Sequence, residues 1–188
     1  MQGATVLDLT HRDRYFADLV KRLGDADVRS CYQCKKCSSG CPVAFAMDYM
    51  PHQVIRMVQM GLRQRALACS TIWICASCET CTTRCPNEVD IARVMDTLRQ
   101  MALEEKVAEV EKDIRIFHDL FLRSIRSNGR VFEFGLIGIF KLRTGRLFDD
   151  IRVGWRMLRK GKLSLLPHRI GGRDKVRQIF ERAQKGTD

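Results

Sequence analysis

The chain has 188 residues, 45 % of them hydrophobic, and a formal net charge of +11. This suits one domain, or one domain with an extension, with enough apolar material for a core. Strand-like β-branched and aromatic runs are scarce and only four prolines occur, so helix should dominate over sheet. The longest apolar candidate for a membrane span, Val131 to Leu142, contains Glu133 and Lys141. It falls short of the about 20 apolar residues a bilayer requires.

In chain order, Met1 to Arg14 shows neither a basic n-region nor an apolar h-region, so nothing marks secretion and the expected location is cytoplasmic. From His11 to Leu23, the residues Phe16, Leu19, Val20 and Leu23 fall at helical spacing, with Gly24 as the stop. This segment leads into Cys31-x2-Cys34-x2-Cys37-x3-Cys41-Pro42. Pro51 then opens a helix with Val54, Met57, Val58, Gly61 and Leu62 on one face, closed at Gly61. A short basic-to-apolar stretch, Arg63 to Cys69, precedes Trp73, which is expected to cap the pocket of the next motif. That motif is Cys75-x2-Cys78-x2-Cys81-x3-Cys85-Pro86. After it, Asp90 caps an amphipathic helix carrying Ile91, Val94, Met95, Leu98 and Ala102. Each motif is thus followed by a helix, and the unit recurs after 44 residues, an internal repeat related by a pseudo-twofold.

The rest is a basic helical extension. Val110, Ile114, Phe117 and Phe121 form a stripe on a helix ending near Asn128-Gly129. Val131 to Leu142 is a second helix, apolar on much of its circumference, and Thr144-Gly145 is a turn. A third helix, Leu147 to Lys160, sets Leu147, Ile151, Trp155 and Leu158 against Arg152, Arg156, Arg159 and Lys160. Leu163 to Gly172, with Leu165, Leu166 and Pro167, reads as an extended loop before a last helix, Arg173 to Gln184. Residues 106–188 hold twenty basic and ten acidic side chains, so nearly all the net charge lies there. The reading is therefore two parts: 1–105, a two-cluster all-α domain, and 106–188, a basic helical extension for docking.

The cysteine pattern carries the chemistry. C-x2-C-x2-C-x3-C-P is the run that holds [4Fe–4S] clusters in two-cluster ferredoxins, where the fourth cysteine serves the other cluster. The expected sets are Cys31, Cys34, Cys37 and Cys85 for cluster one, and Cys75, Cys78, Cys81 and Cys41 for cluster two. Zinc is the main competitor, but its four-cysteine sites come as two pairs and need neither a third close cysteine nor a trailing proline. Disulfides suit a secreted chain, and this one reads as metal-binding. Cys69, the ninth cysteine, lies outside the pattern and is expected to be a buried non-ligand. His11, His52, His118 and His168 are scattered and expected at the surface or behind ligands. No nucleophile–base pair, phosphate loop or flavin fingerprint is present, so the chain is expected to have no catalytic residues and no substrate-converting site of its own.

The paired motifs, with Pro51, Val54, Met57, Gly61, Trp73 and Ile74-Cys75-Ala76-Ser77-Cys78, resemble the C subunit of heterodisulfide reductase. Gly145-Arg146-Leu147 through Leu165-Leu166-Pro167 also looks like that protein. The resemblance implies an α-helical ferredoxin fold in a hetero-oligomer. It further implies two [4Fe–4S] clusters linking a flavin-containing A-type subunit to a catalytic B-type subunit that cleaves or forms a disulfide. The CCG motifs of the B-type subunit are missing from this chain, so disulfide chemistry would lie elsewhere in the complex. The cysteine motifs are shared with succinate dehydrogenase and fumarate reductase subunits. Those carry an N-terminal [2Fe–2S] domain and a [3Fe–4S] cluster, whereas here 30 residues precede Cys31 and both motifs keep four cysteines. A free ferredoxin is the other alternative, though such proteins are small and acidic. The basic extension also admits peripheral membrane docking through the Trp155 helix. It lacks any nucleic-acid fold signature, so no nucleic-acid partner is expected.

Overall fold

A computed structural model describes residues 9–10, 12–107, 111–146, 149, 151–162, 166 and 170–185. Among these residues every regular element is a helix, as the strand-poor composition demands. The chain divides into two compact units, 1–111 and 112–188.

In the first unit, α1 (Phe16–Gly24) buries Phe16 and Val20, while Leu23 points to solvent. The helix stops one residue beyond the expected Gly24, because Asp25 takes the left-handed conformation at φ 51°. Gly24 serves packing instead, since a Cβ there would collide with Thr97. His11, the expected start, lies outside the described residues, but 12–15 are not helical, so the helix begins later than the spacing predicts, at Phe16.

α2 (Lys36–Ser39) is a single turn inside the first cysteine motif. α3 (Pro51–Met60) starts with proline in its first turn, and the Met50 N–H donates to Gln53 Oε1 at 2.8 Å. It buries Val54, Met57 and Val58 as the pattern predicts, and Ile55 besides. Gly61 ends it at φ 74°, where a side chain would strike the backbone of Asp13, whose N–H donates to Gly61 O at 2.8 Å. The Arg63–Cys69 stretch forms α4 (Arg63–Leu67), followed by α5 (Thr71–Ile74) and, within the second motif, α6 (Thr80–Thr83).

α7 (Ile91–Glu104) is the central helix. Asp90 caps it by accepting from the Arg93 N–H at 2.9 Å. Ile91, Val94, Met95, Leu98, Met101 and Ala102 form its buried stripe, against which α1, α3, α4 and α5 pack. Truncating a fully buried leucine such as Leu98 to alanine costs about 2–5 kcal/mol, so this stripe is a main source of stability.

The second unit comprises α8 (Lys112–Asn128), α9 (Glu133–Thr144), α10 (Ile151–Arg159) and α11 (Arg173–Lys185). α8 packs against α9 and α11. Phe117 stacks edge-on to Phe140 with centroids 5.7 Å apart. α9 ends at Gly145, left-handed at φ 72°. Its apolar circumference is only partly used: Leu136 is buried, while Ile137, Ile139 and Leu142 are exposed. Trp155 on α10 is exposed as well. Val110 and Leu147, placed on the α8 and α10 stripes, and Leu165, Pro167 and His168 of the expected loop lie outside the described residues. No helix among the described residues is long and apolar enough to cross a membrane.

Candidate iron–sulfur centre

The two cysteine loops share one backbone. Gln33 and Ser77 sit at φ 64° and 48°, and Lys35 and Glu79 at 65° and 61°. These four left-handed residues occupy matching places in the 44-residue repeat, two after the first cysteine and one after the second. Positive φ without glycine is strained, of order 1 kcal/mol per residue, and marks a loop built for a purpose. Here it turns the chain sharply enough to carry three thiols around one centre, and such alternation of helical senses points backbone N–H groups at an anion. One helical turn, α2 or α6, then carries the third cysteine of each loop.

Cys41, Cys75, Cys78 and Cys81 line a single cavity walled by Pro42, Val43, Met47, Ile91, Ala92 and Met95. The first motif thus contributes its fourth cysteine to the cavity of the second. In the other direction, burial and the neighbouring Cys34, Cys85 and Cys31 together raise the Tyr32 phenol above its ordinary value. Cys85 is thus within electrostatic reach of Tyr32, the residue directly after Cys31. Asn87 donates to the Ser30 carbonyl, tying the turn after Cys85 to the residue before Cys31. Among the described residues no trio of His, Cys, Asp or Glu converges as a site for a metal ion. Cys41, Cys75, Cys78 and Cys81 are instead spread around a cavity, as the corners of an iron–sulfur cage require. A thiol donor set with apolar walls fits [4Fe–4S] clusters.

Cys34 and Cys78, the second cysteine of each motif, are exposed; the other six motif cysteines are buried or half-buried. Burial pushes the Cys37 and Cys75 thiols up, and Cys81 up to about 11. Hydrogen bonding to Thr80 lowers Cys78. A thiol held above its ordinary value is protonated at neutral pH, so metal binding there releases protons.

Several positioning groups carry no signal at the level of motifs. Asp48 receives the Ser70 N–H at Oδ2 (2.9 Å) and the Thr71 N–H at Oδ1 (3.0 Å), and Thr71 Oγ1 stands 2.7 Å from Oδ1. It thus clamps the segment after Cys41 to the one before Cys75. Burial would raise its carboxyl, but hydrogen bonds from Thr71 and Ser70 outweigh this and hold it below the ordinary 3.8. Gln59 donates to the carbonyls of Val28 and Cys31 at 2.8 and 2.9 Å, and Arg99 to those of Ile72 and Cys75 at 2.9 and 3.0 Å. Ser38 and Thr82, each directly after a third cysteine, are legible in the sequence as a repeated hydroxyl. Each accepts the N–H of the second residue of the following long helix, His52 at 3.1 Å and Ala92 at 3.4 Å.

Cys69 is buried and its thiol donates to the Ala66 carbonyl at 3.2 Å. Burial pushes it up to about 11. Trp73 is buried but does not line the cavity of Cys41 and Cys75, so it belongs to the packed interior instead of capping that pocket. His52 is half-buried behind Ser38. His11 and His168 lie outside the described residues.

The 4Fe–4S dicluster domain matches residues 27–89. Among the described residues a wholly helical fold, with eight free thiols in two matching motifs, and this match define a two-cluster iron–sulfur protein of α-helical ferredoxin type, with two [4Fe–4S] clusters as its cofactors. Within that class the chain is like the C subunit of heterodisulfide reductases. It is 32 % identical over 90 residues to the C subunit of the H2:CoB–CoM heterodisulfide,ferredoxin reductase of Methanothermobacter marburgensis, covering 48 % of this chain and 49 % of that one. It is 31 % identical over 124 residues to the second C-type iron–sulfur subunit of the CoB–CoM heterodisulfide reductase of Methanocaldococcus jannaschii, covering 65 % and 63 %. Against the C subunit of the ferredoxin:CoB–CoM heterodisulfide reductase of Methanosarcina acetivorans it is 38 % identical over 82 residues, covering 44 % and 32 %. The chain spans about half the length of the first of these relatives.

Proposed function

We propose that this chain is the electron-transfer subunit of a heterodisulfide reductase-like complex. It relays electrons between a flavin-containing A-type subunit and a catalytic B-type subunit that makes or breaks a disulfide. Cys31, Cys34, Cys37 and Cys85 hold one cluster; Cys75, Cys78, Cys81 and Cys41 hold the other. The observation that carries the ligand assignment is the cavity lined by Cys41 together with Cys75, Cys78 and Cys81. When bound, each cluster supplies a one-electron centre. The chain's own residues hold the thiols in place, exclude water through Val43, Met47, Ile91 and Met95, and leave Cys34 and Cys78 at the surface, where a partner centre can approach.

The second unit is the docking element, within a hetero-oligomer located in the cytoplasm. Ile137, Ile139, Leu142 and Trp155 remain exposed in the segment 106–188, which holds most of the basic side chains. Exposed apolar residues ringed by charge suit a protein interface, with the charge steering an acidic partner.

The test is to load the chain anaerobically with iron and sulfide, then supply the A-type and B-type subunits encoded in the same genome. Electrons should pass from reduced flavin to the B-type subunit only when this chain is present. Replacing Cys85 by serine should damage the cluster of Cys31, Cys34 and Cys37 and spare the other, and replacing Cys41 should do the reverse. Each motif losing only its own cluster would refute the exchange of fourth ligands. Undiminished transfer without this chain would refute the relay.

A further inference from the structure

The two loops have one backbone and opposite charge. At the left-handed residue after the second cysteine, motif one has Lys35 and motif two has Glu79. Lys36 follows the first and Thr80 the second. The contrast continues one layer out. Ser38 Oγ stands 2.7 Å from Nδ1 of His52, a ring that burial and Lys35 both bias toward its neutral form. Its counterpart Thr82 donates to the Asp90 carboxylate at 3.1 Å. Motif two gathers another carboxylate in Asp96, which accepts from Ser77 Oγ at 3.1 Å. Arg99, 3.2 Å from Asp96, offsets one of these charges. On the side of motif one, Glu88 stands on the turn after Cys85, where its N–H donates to the Cys85 carbonyl at 3.2 Å, and counts against one lysine. Arg84 lays its side chain against Gly40, beside Cys41, and so is shared between the two sites. Among these side chains motif one keeps a net positive charge and motif two a net negative one.

Resting on the ligand sets proposed above, we infer that Lys35 and Glu79 make the two clusters unequal: the site of Cys31, Cys34 and Cys37 has the higher electron affinity. A cluster with four thiolates is already an anion, and reduction adds one more negative charge. Nearby cations favour the reduced form and nearby carboxylates oppose it. The first electron entering the chain therefore settles at site one. Transfer from site two to site one runs downhill: one electron leaves cluster two, which is oxidised, and reaches cluster one, which is reduced, with no proton moved. The reductant docks at the Glu79 side and the acceptor at the Lys35 side. Lys35 and Glu79 are positioning charges that set the polarity of the relay.

The experiment is potentiometry followed by electron paramagnetic resonance on the full, cluster-loaded chain. Each signal is assigned to its site through Cys34→Ser and Cys78→Ser. In the native chain the two sites should differ by at least about tenfold in affinity for the first electron, which is about 59 mV for a one-electron couple. Lys35→Glu should lower the potential of site one alone, and Glu79→Lys should raise that of site two alone. The double exchange should close or invert the gap. Both positions already hold non-glycine residues at positive φ, so the exchanges add no backbone demand. Lys35→Gln and Glu79→Gln should give shifts of the same sign and smaller size. Both side chains are exposed, so raising the ionic strength of the native chain should narrow the gap without any substitution. Intact clusters whose potentials ignore these exchanges, or a native site two that reduces first, would overturn the inference. A native chain holding far from about eight irons, or Cys34→Ser and Cys78→Ser perturbing the same signal, would instead overturn the ligand sets on which it stands.

Discussion

Asp48 bridges the two cysteine motifs, and its removal has a cost that can be worked from its contacts. Asp48→Ala strips the acceptor from the N–H groups of Ser70 and Thr71, both in buried residues. The Thr71 hydroxyl keeps the Tyr49 carbonyl as a partner, so it adds little. A donor left unsatisfied costs about 1–3 kcal/mol. Asp48 itself is partly open to solvent and water can enter in its place, so the low end applies, about 2 kcal/mol for the two. Asp48→Asn keeps one oxygen for Thr71 and turns an NH2 toward Ser70, for a loss of about 1 kcal/mol. Denaturant unfolding of the cluster-loaded chain, followed by circular dichroism and by loss of cluster absorbance, should rank native, Asn and Ala in that order. The carboxyl is held below its ordinary value in the fold, so the contribution is complete above pH 3.8 and fades as the pH drops through the lowered value. The native and Asp48→Ala chains should therefore keep a constant gap from pH 8 down to pH 5. An alanine variant within about 0.5 kcal/mol of the native chain would refute the clamp, since such a value is typical of a surface change with no structural role.

Cys69→Ser should retain about eight irons, and the native loaded chain should show no thiol that reacts quickly with a disulfide reagent at pH 8, because Cys69 is buried and pushed up to about 11. Gly61→Ala should destabilise by at least about 2 kcal/mol in the same unfolding assay, combining left-handed strain with a collision against Asp13. Removing residues 112–188 should leave the iron content unchanged while abolishing co-purification with the partner subunits; binding at unchanged affinity and physiological salt would move the docking surface to the first unit.

Local signals are legible where local physics decides. Pro51 and Gly61 bound α3, and Asp90 caps α7, because each acts through its own backbone or within a few residues of it. The cysteine spacing places both loops for the same reason. What escapes depends on distant approach. Leu23 fits the α1 stripe by period, yet the helix buries only Phe16, Val20 and Gly24 against its neighbours, so Leu23 stays exposed. Gly24 reads as a stop because glycine often is one; the crowding by Thr97 is invisible until the helices are paired. Asp48 lies 22 residues from Ser70, and no periodicity joins them. Trp73 is near Cys75 in sequence, but α5 turns its ring into the packed interior.

The cavity of Cys41 and Cys75 also sets an order of events during synthesis. One of its walls is Met95, in the middle of α7. A nascent chain that has released only its first motif has no enclosure to offer a cluster, and its thiols face the cellular environment unprotected. The enclosure closes only after α7 has emerged and folded back. Enclosure of anything held in this cavity therefore follows the release of nearly all of the first unit.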